Sequence, residues 1–352
     1  FALKVWNYKQ GEIVSLMIHL GDRLGLYKAL DGAGPMTAAE LAGRTGLDRR
    51  WVQEWLRGQG AAGLVDTADG EVFELTPEAA EVLAGEGRSV WFAAGAFNGA
   101  ALPEDSVPRL MEAFRTGRGL SYDELGPRGA HAVERLTAPW TELALVPIVL
   151  PRLAGVVERL EAGARVADVG CGAGTALVAM ASAFPSSSFE GFDPSVHAIE
   201  RARQRVAEAG LTNVEMHRAG FADLPGEPTY DLVVTLDCIH DLPRPAEAIA
   251  AVRRSIKADG TWLIKDMRSS PKWSDNLRNP VLAMMYGMSV ATCMSSALSE
   301  PGGAGLGTLG FHPELAEQMC KEAGFSAFTV HDVGEPANLY YEVRPVPVGS
   351  SA

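Results

Sequence analysis

Residues 165–175, RVADVGCGAGT, decide the fold of this chain of 352 residues. A short apolar run ends on an acid, Asp168, and then on three glycines at alternating positions: Gly170, Gly172 and Gly174. The pattern TALVAMASAF that follows reads as a helix. A buried run entering a helix through glycines is a strand–turn–helix unit. Glycine there lets backbone approach a ligand that any Cβ would push away, and the helix N-terminus adds N–H donors. A dinucleotide turn is spaced G-x-G-x-x-G. Here the spacing is G-x-G-x-G, with Thr at position 175.

Downstream, strand and helix alternate. SSFEGFD precedes HAIERARQRVAEAG, VEMHRAG follows, then YDLVVTLD, the helix PAEAIAAVRRSIK and the strand TWLIKDM. That order predicts a doubly wound, mostly parallel sheet, whose ligands sit beyond the carboxyl ends of the strands. FSAFTVHDV and NLYYEVRP read as a closing two-stranded hairpin at the sheet edge. Asp193, at the tip of the second strand, stands where a carboxylate accepts hydrogen bonds from both ribose hydroxyls of an adenosine ligand. That acid serves either kind of nucleotide; the glycine spacing separates them.

Upstream, residues 88–160 read as mainly helical, broken by Pro103, Pro108, Gly117–Gly119 and Pro127. Before them, Thr37 and Glu40 form a capping box, Gly46 ends that helix, and Asp48 caps a second through RRWVQEWLRGQG. GLVDTADGEVFEL then alternates around Asp69-Gly70, a two-residue hairpin signal. Helix, turn, helix, hairpin is the order of a winged helix. Residues 35–80 hold four basic against eight acidic groups, and Trp51, Val52, Trp55 and Leu56 have the character of core or interface groups. Phosphate binding needs a basic face, so nucleic acid is not the expected partner. Residues 9–30 carry Ile13, Met17, Leu20 and Leu24 at helical spacing with further apolar neighbours. A helix this apolar must be covered on two sides, by its own chain or by a second copy.

A formal charge of −13 also speaks against a polyanionic partner, and no run of about 18 apolar residues predicts a membrane span. Four dispersed cysteines without CxxC spacing point to a reducing cytoplasm, with neither a disulfide framework nor a metal site. FALKVWNYKQGE lacks the basic start and apolar core of a secretion signal. Without an initiator Met the chain is read as trimmed.

The combination D-x-G-x-G-x-G with an acidic second strand tip resembles class I S-adenosylmethionine-dependent methyltransferases. With GDRLGLYKAL, LDCIHDL, DNLRNPV and EAGF, nearly the whole chain is similar to bacterial small-molecule methyltransferases related to plant caffeate-type O-methyltransferases. The resemblance implies an α/β, Rossmann-like, seven-stranded sheet behind a helical winged-helix domain. The expected division is a winged-helix and dimerisation domain (1–90), a helical connector (91–160) and an S-adenosylmethionine-binding domain (161–352). It implies that Asp168 and the backbone of Gly170, Cys171, Gly172 and Gly174 hold the methionine half of the cofactor. Asp193 and Pro194 hold the ribose; Gly220, Phe221 and Asp223 meet the adenine. The family's usual acid is absent at Gly220, so Asp223 is its expected substitute. Leu236 and Asp237 face the methionine amino group.

His240, just past the fourth strand of that fold, matches the family's general base, and a neutral imidazole suits that task near pH 7. The alternative is a histidine that only braces its loop through Asp241 or backbone. Met284, Met285, Tyr286 and Met288, with Met294, suit the wall of an aromatic acceptor pocket or, equally, a buried helix. SEPGGAGLGTLGFH is expected as a lid carrying His312, and Tyr8 and Trp91 as contributions from the other domain. The expected activity is methylation of a small aromatic, natural-product-like acceptor, on oxygen, or on nitrogen or carbon of an electron-rich ring such as an indole. The alternative function is a winged-helix regulator that senses a metabolite without catalysis.

Overall fold

The structure is a computed structural model, and it describes residues 1–97 and 106–346. The chain forms two compact units, Phe1–Ala101 with Ala132–Leu143, and Leu102–His131 with Ala144–Ala352.

In the first unit the apolar N-terminal stretch is not one helix. A helix over Ala2–Arg23 stops, and a short one over Leu26–Leu30 starts after Gly25, whose φ of 70° is left-handed. The break turns Leu26, Tyr27 and Leu30 into the core beside Trp55, Leu56 and Phe73. The two helices of the expected pair span Ala38–Thr45 and Arg49–Ala61, with the Thr37–Glu40 capping box and the Asp48 cap both formed. Val52, Trp55 and Leu56 are buried, whereas Trp51 on the opposite face is exposed. Strand β1 (Met36–Thr37) pairs antiparallel with β2 (Val72–Phe73), and Asp66 bridges Glu74. The wing therefore has a longer tip than the expected two-residue turn. Its backbone is closed by side chains instead: Asp69 accepts the N–H groups of Glu71 and Val72, and Thr67 accepts that of Gly70.

Helices Ser106–Thr116 and Gly126–Ala144 show why Pro108 and Pro127 break nothing. Each stands in a first turn, where the N–H it lacks has no intrahelical partner anyway. Pro103 lies outside the described residues.

The second unit holds a seven-stranded sheet. Its strands are β3 (Arg165–Val169), β4 (Ser188–Phe192), β5 (Val214–His217), β6 (Tyr230–Leu236), β7 (Ile256–Met267), β8 (Ala327–His331) and β9 (Asn338–Arg344). They lie in the order β5-β4-β3-β6-β7-β9-β8. The first five are parallel; β9 runs antiparallel between β7 and β8. Both faces are covered, so side chains alternate between two cores rather than between core and water. Val166, Leu232, Val234 and Leu263 pack on one face with Leu177, Met180 and Ile199. Ala167, Val169, Val233, Trp262 and Ile264 pack on the other with Ile249 and Val252. Strand order reverses between β3 and β6, and in such sheets ligands sit beyond the strand tips at that point.

Candidate active site

The turn after β3 is built as its glycines require. Gly170, Gly172 and Gly174 all have left-handed φ, of 76°, 53° and 74°. At Gly170 a Cβ would also lie 2.8 Å from the Cys238 sulfur, because the tips of β3 and β6 touch there. At Gly172 a Cβ would meet nothing within 4 Å. That open space over bare backbone is the cradle.

Four amides of the turn donate within the chain. Those of Gly170 and Cys171 both donate to the Phe192 carbonyl (2.8 and 3.1 Å), and that of Gly174 to the Cys171 carbonyl (2.9 Å). Gly172 donates to the Asp193 carboxylate at 2.9 Å, whose other oxygen takes the Ser195 N–H at 2.9 Å. These four amides are thus engaged within the chain, and the open space lies over the backbone of Gly172. Beside the turn stands the carboxyl of Asp168. Its Oδ2 is buried with no hydrogen-bond partner. Burial, with the charge of Asp193 second, lifts its carboxyl to about 8. An orphaned buried acid beside an open cradle fits a cationic group of a ligand.

Further along, Pro194 gives its carbonyl to Arg218 at 3.4 Å. Phe221 and Asp223 form a single turn in which Asp223 accepts the N–H of Gly220 at 2.8 Å, so Asp223 braces its own loop. Leu236 ends β6, half-buried. Asp237 follows with φ 55°, uncommon for a residue with a side chain. It is held there by Lys265 at 3.0 Å and by Asn338, and Lys265 also pairs with Glu335 at 2.9 Å. Burial would drain the Lys265 charge, but the two carboxylates hold its ammonium above the usual value. The Asp237 carboxylate therefore pairs with Lys265 and Asn338.

His240 lies on the turn Ile239–Asp241 and is 1% exposed. Its Nδ1 meets Asp266 Oδ1, on β7, at 2.7 Å. Burial alone would lower the imidazole's pKa; the Asp266 charge and hydrogen bond outweigh it and hold His240 well above its ordinary value. Sequence reasoning missed Asp266 and Cys293, and with them Tyr122, whose hydroxyl lies 3.4 Å from the Cys293 sulfur. The acid closing the buried run TWLIKD was a signal for Asp266; nothing marked Cys293.

The methionine stretch splits. In the helix Leu282–Met288 only Leu282 and Met285 are buried, while Met284, Tyr286 and Met288 face outward. His312 caps the helix Pro313–Glu322 by accepting the Leu315 N–H at 3.3 Å. The expected lid is tied down: Gly307 donates to the His240 carbonyl at 3.1 Å and Ala304 to the Pro243 carbonyl at 2.9 Å. Tyr8 and Trp91 lie on the first unit, both exposed, with Trp91 edge-on to Trp140.

Comparison with known proteins names this arrangement. Residues 160–328 match the family described as methyltransferase domain, and residues 12–85 the Rv2258c-like winged HTH domain. The second unit carries a methyltransferase domain. A relative at sequence level is the ubiquinone biosynthesis O-methyltransferase of Neisseria meningitidis, 30% identical over 113 residues, 31% of this chain and 47% of that protein. The chain spans about half the length of the curated relatives it matches. Human N-acetylserotonin methyltransferase, solved with S-adenosylmethionine, shares the fold at a TM-score of 0.68 and 18% identity, over 98% of both chains. An O-methyltransferase family protein from Burkholderia thailandensis does so at 0.65 and 20%, again over 98% of both. The seven-stranded sheet in a chain that also carries a winged helix is the expected fold.

Proposed function

We propose that the chain moves the methyl group of S-adenosylmethionine to an oxygen of a small aromatic, natural-product-like acceptor; nitrogen or carbon of an electron-rich ring is the sibling chemistry. The observation that carries this is the buried acid–base cluster around His240, set one turn beyond the strand tip that abuts the glycine cradle. The cofactor supplies an electrophilic methyl on a sulfonium, a reaction whose leaving group is neutral and good. The protein's tasks are alignment, exclusion of water and removal of the acceptor's proton. Asp168 and the open backbone at Gly172 would hold the charged methionine end, with Asp193 and Pro194 at the ribose and Gly220, Phe221 and Asp223 at the adenine. Asp266 fixes the His240 ring, and the buried cluster receives the proton. His240→Gln at saturating cofactor should lower turnover on a phenol by about 10²–10⁴-fold, the usual contribution of a general base. A loss below about tenfold would remove this cluster from the chemistry.

We further propose that the chain works as a homodimer in the cytoplasm. Leu3, Trp6, Ile13, Leu16 and Leu20 leave an exposed apolar face on the helix Ala2–Arg23. Such a face fits a second copy. The four free thiols suit a reducing compartment. Light scattering at micromolar concentration should give twice the chain mass, and Ile13→Glu with Leu16→Glu should halve it; a parent already monomeric there refutes the dimer.

A further inference from the structure

The sheet order dictates what flanks the glycine cradle. β3 stands between β4 and β6, so the turns after β4 and after β6 lie on either side of the turn Gly170–Gly174. One stretch outside the sheet reaches both flanks. Residues 118–123 belong to the same unit as the sheet and lie between the helices Ser106–Thr116 and Gly126–Ala144. A segment held on both sides of the β3 tip must cross above it.

On the β6 side the stretch is laid along the helix Met294–Ala297, which packs beside the turn that holds His240. The Arg118 guanidinium donates to the Ser299 carbonyl at 3.1 Å, the Gly119 N–H to the Leu298 carbonyl at 3.1 Å, and the Leu120 N–H to the Ser295 hydroxyl at 2.7 Å. The approach is close enough that a Cβ at Gly119 would run into the Ser295 backbone. On the β4 side a single carboxylate makes the attachment. Asp123 Oδ1 accepts the Ser195 hydroxyl at 2.7 Å and the Val196 N–H at 3.1 Å. The Ser195 N–H donates in turn to Asp193, which takes the Gly172 N–H, so hydrogen bonds lead from this stretch into the floor of the cradle. Ser195 also caps the helix Val196–Glu208 by accepting the Ala198 N–H at 3.3 Å. That cap needs nothing from Asp123.

We propose that residues 118–123 form a strap closed over the cofactor cradle, with Asp123 as its latch: the nucleoside enters and leaves when Asp123 lets go of Ser195 and Val196. This rests on the methyl-transfer reading above. The two attachments are unequal. The β6 side holds by three hydrogen bonds and by backbone lying against backbone, the β4 side by one half-buried carboxylate. Opening therefore begins at Asp123. Gly126 follows it closely, left-handed at φ 68° with nothing within 4 Å of a Cβ, and small residues of this kind absorb the backbone change at a hinge. A hydrogen bond to a charged group is worth about 10- to 100-fold in an equilibrium, enough to keep such a strap mostly closed. Closure of this kind keeps water from the reacting groups.

Surface plasmon resonance on the full chain, with S-adenosylhomocysteine as the probe, tests this. A latch governs entry and exit alike. Asp123→Ala should raise the association and dissociation rate constants together, each by about tenfold or more, the share one charged hydrogen bond contributes to the closed state. Ser195→Gly removes the hydroxyl that Asp123 holds yet leaves a residue tolerated at an N-cap, so the helix start survives. It should act in the same direction, and the double variant should be no faster than Asp123→Ala alone. Dissociation that rises without association, as the loss of an ordinary ligand contact gives, overturns the latch. So do unchanged rates, or effects of the two substitutions that simply multiply. A parent with no affinity for S-adenosylhomocysteine refutes the methyl-transfer reading itself, and the latch falls with it; a parent that binds, with rates indifferent to Asp123, refutes the latch alone.

Discussion

Two alanines placed two residues apart should separate the cradle's shape from the domain's stability. Gly172 and Gly170 share left-handed backbone, φ 53° and 76°, where a Cβ costs roughly 1–2 kcal/mol. They differ in what that Cβ would meet. Around Gly172 there is nothing within 4 Å, so Gly172→Ala should lose only the backbone term, a fall in Tm of about 2–8 °C for a unit of this size. Around Gly170 the Cys238 side chain stands at 2.8 and 2.9 Å. Gly170→Ala therefore adds about 1–3 kcal/mol of overpacking, for a total of about 2–5 kcal/mol. Affinity should rank the other way relative to stability. The methyl added at Gly172 fills the space a ligand needs, so S-adenosylhomocysteine binding by calorimetry should weaken at least tenfold, about 1.4 kcal/mol. If Gly172→Ala binds that product as tightly as the parent, the open space over Gly172 is not the cofactor's seat.

Two further outcomes follow from buried charges. In the ligand-free protein Asp168 keeps its proton up to about 8, whereas the unfolded chain releases it near the ordinary value of about 4. The native state thus binds more protons across that window, and this residue's contribution to stability falls as pH rises from about 4 through about 8. A cationic ligand group that ionises Asp168 should release a proton below about pH 8 and bind more tightly towards it. Calorimetry in two buffers of different ionisation enthalpy should show that release in the parent and its absence in Asp168→Asn; equal release in both refutes the assignment. Lys265 is buried between Asp237 and Glu335, so Lys265→Met strands two like charges and should cost about 3–5 kcal/mol in urea unfolding. Adding Glu335→Gln should recover part of it. A loss under about 1 kcal/mol would show that the network is not what holds Asp237.

What could be read in advance was what depends on near neighbours in sequence. The glycine turn announces its left-handed backbone because few other residues adopt it, and the Thr37 and Asp48 caps announce themselves because capping is a three-residue affair. The cluster around His240 is of the other kind. Asp266 reaches the ring only because β7 lies beside β6. The methionines show a subtler limit. Composition suggested one lining, yet helical spacing puts Met284 and Met288 on one face and Met285 on another, and only the last is buried. Pro108 and Pro127 show that a proline in sequence marks a helix boundary without saying which end, and here both stand near helix starts.

The groups that matter for chemistry are also those the fold would be more stable without. Asp168 holds an unpartnered oxygen, Asp237 an uncommon backbone and Asp266 an oxygen with no donor. All three sit at the carboxyl ends of β3, β6 and β7, where the apolar alternation along each strand has already secured its place in the sheet. A strand tip is where a polar group is both fixed by the core behind it and free of the ladder beyond it. Strain there is tolerated because the hydrophobic layers over Val166–Val169 and Leu232–Val234 outweigh it. On the proposed reading, a cation at the cradle would give Asp168 a partner, and part of the binding energy would be the removal of that defect.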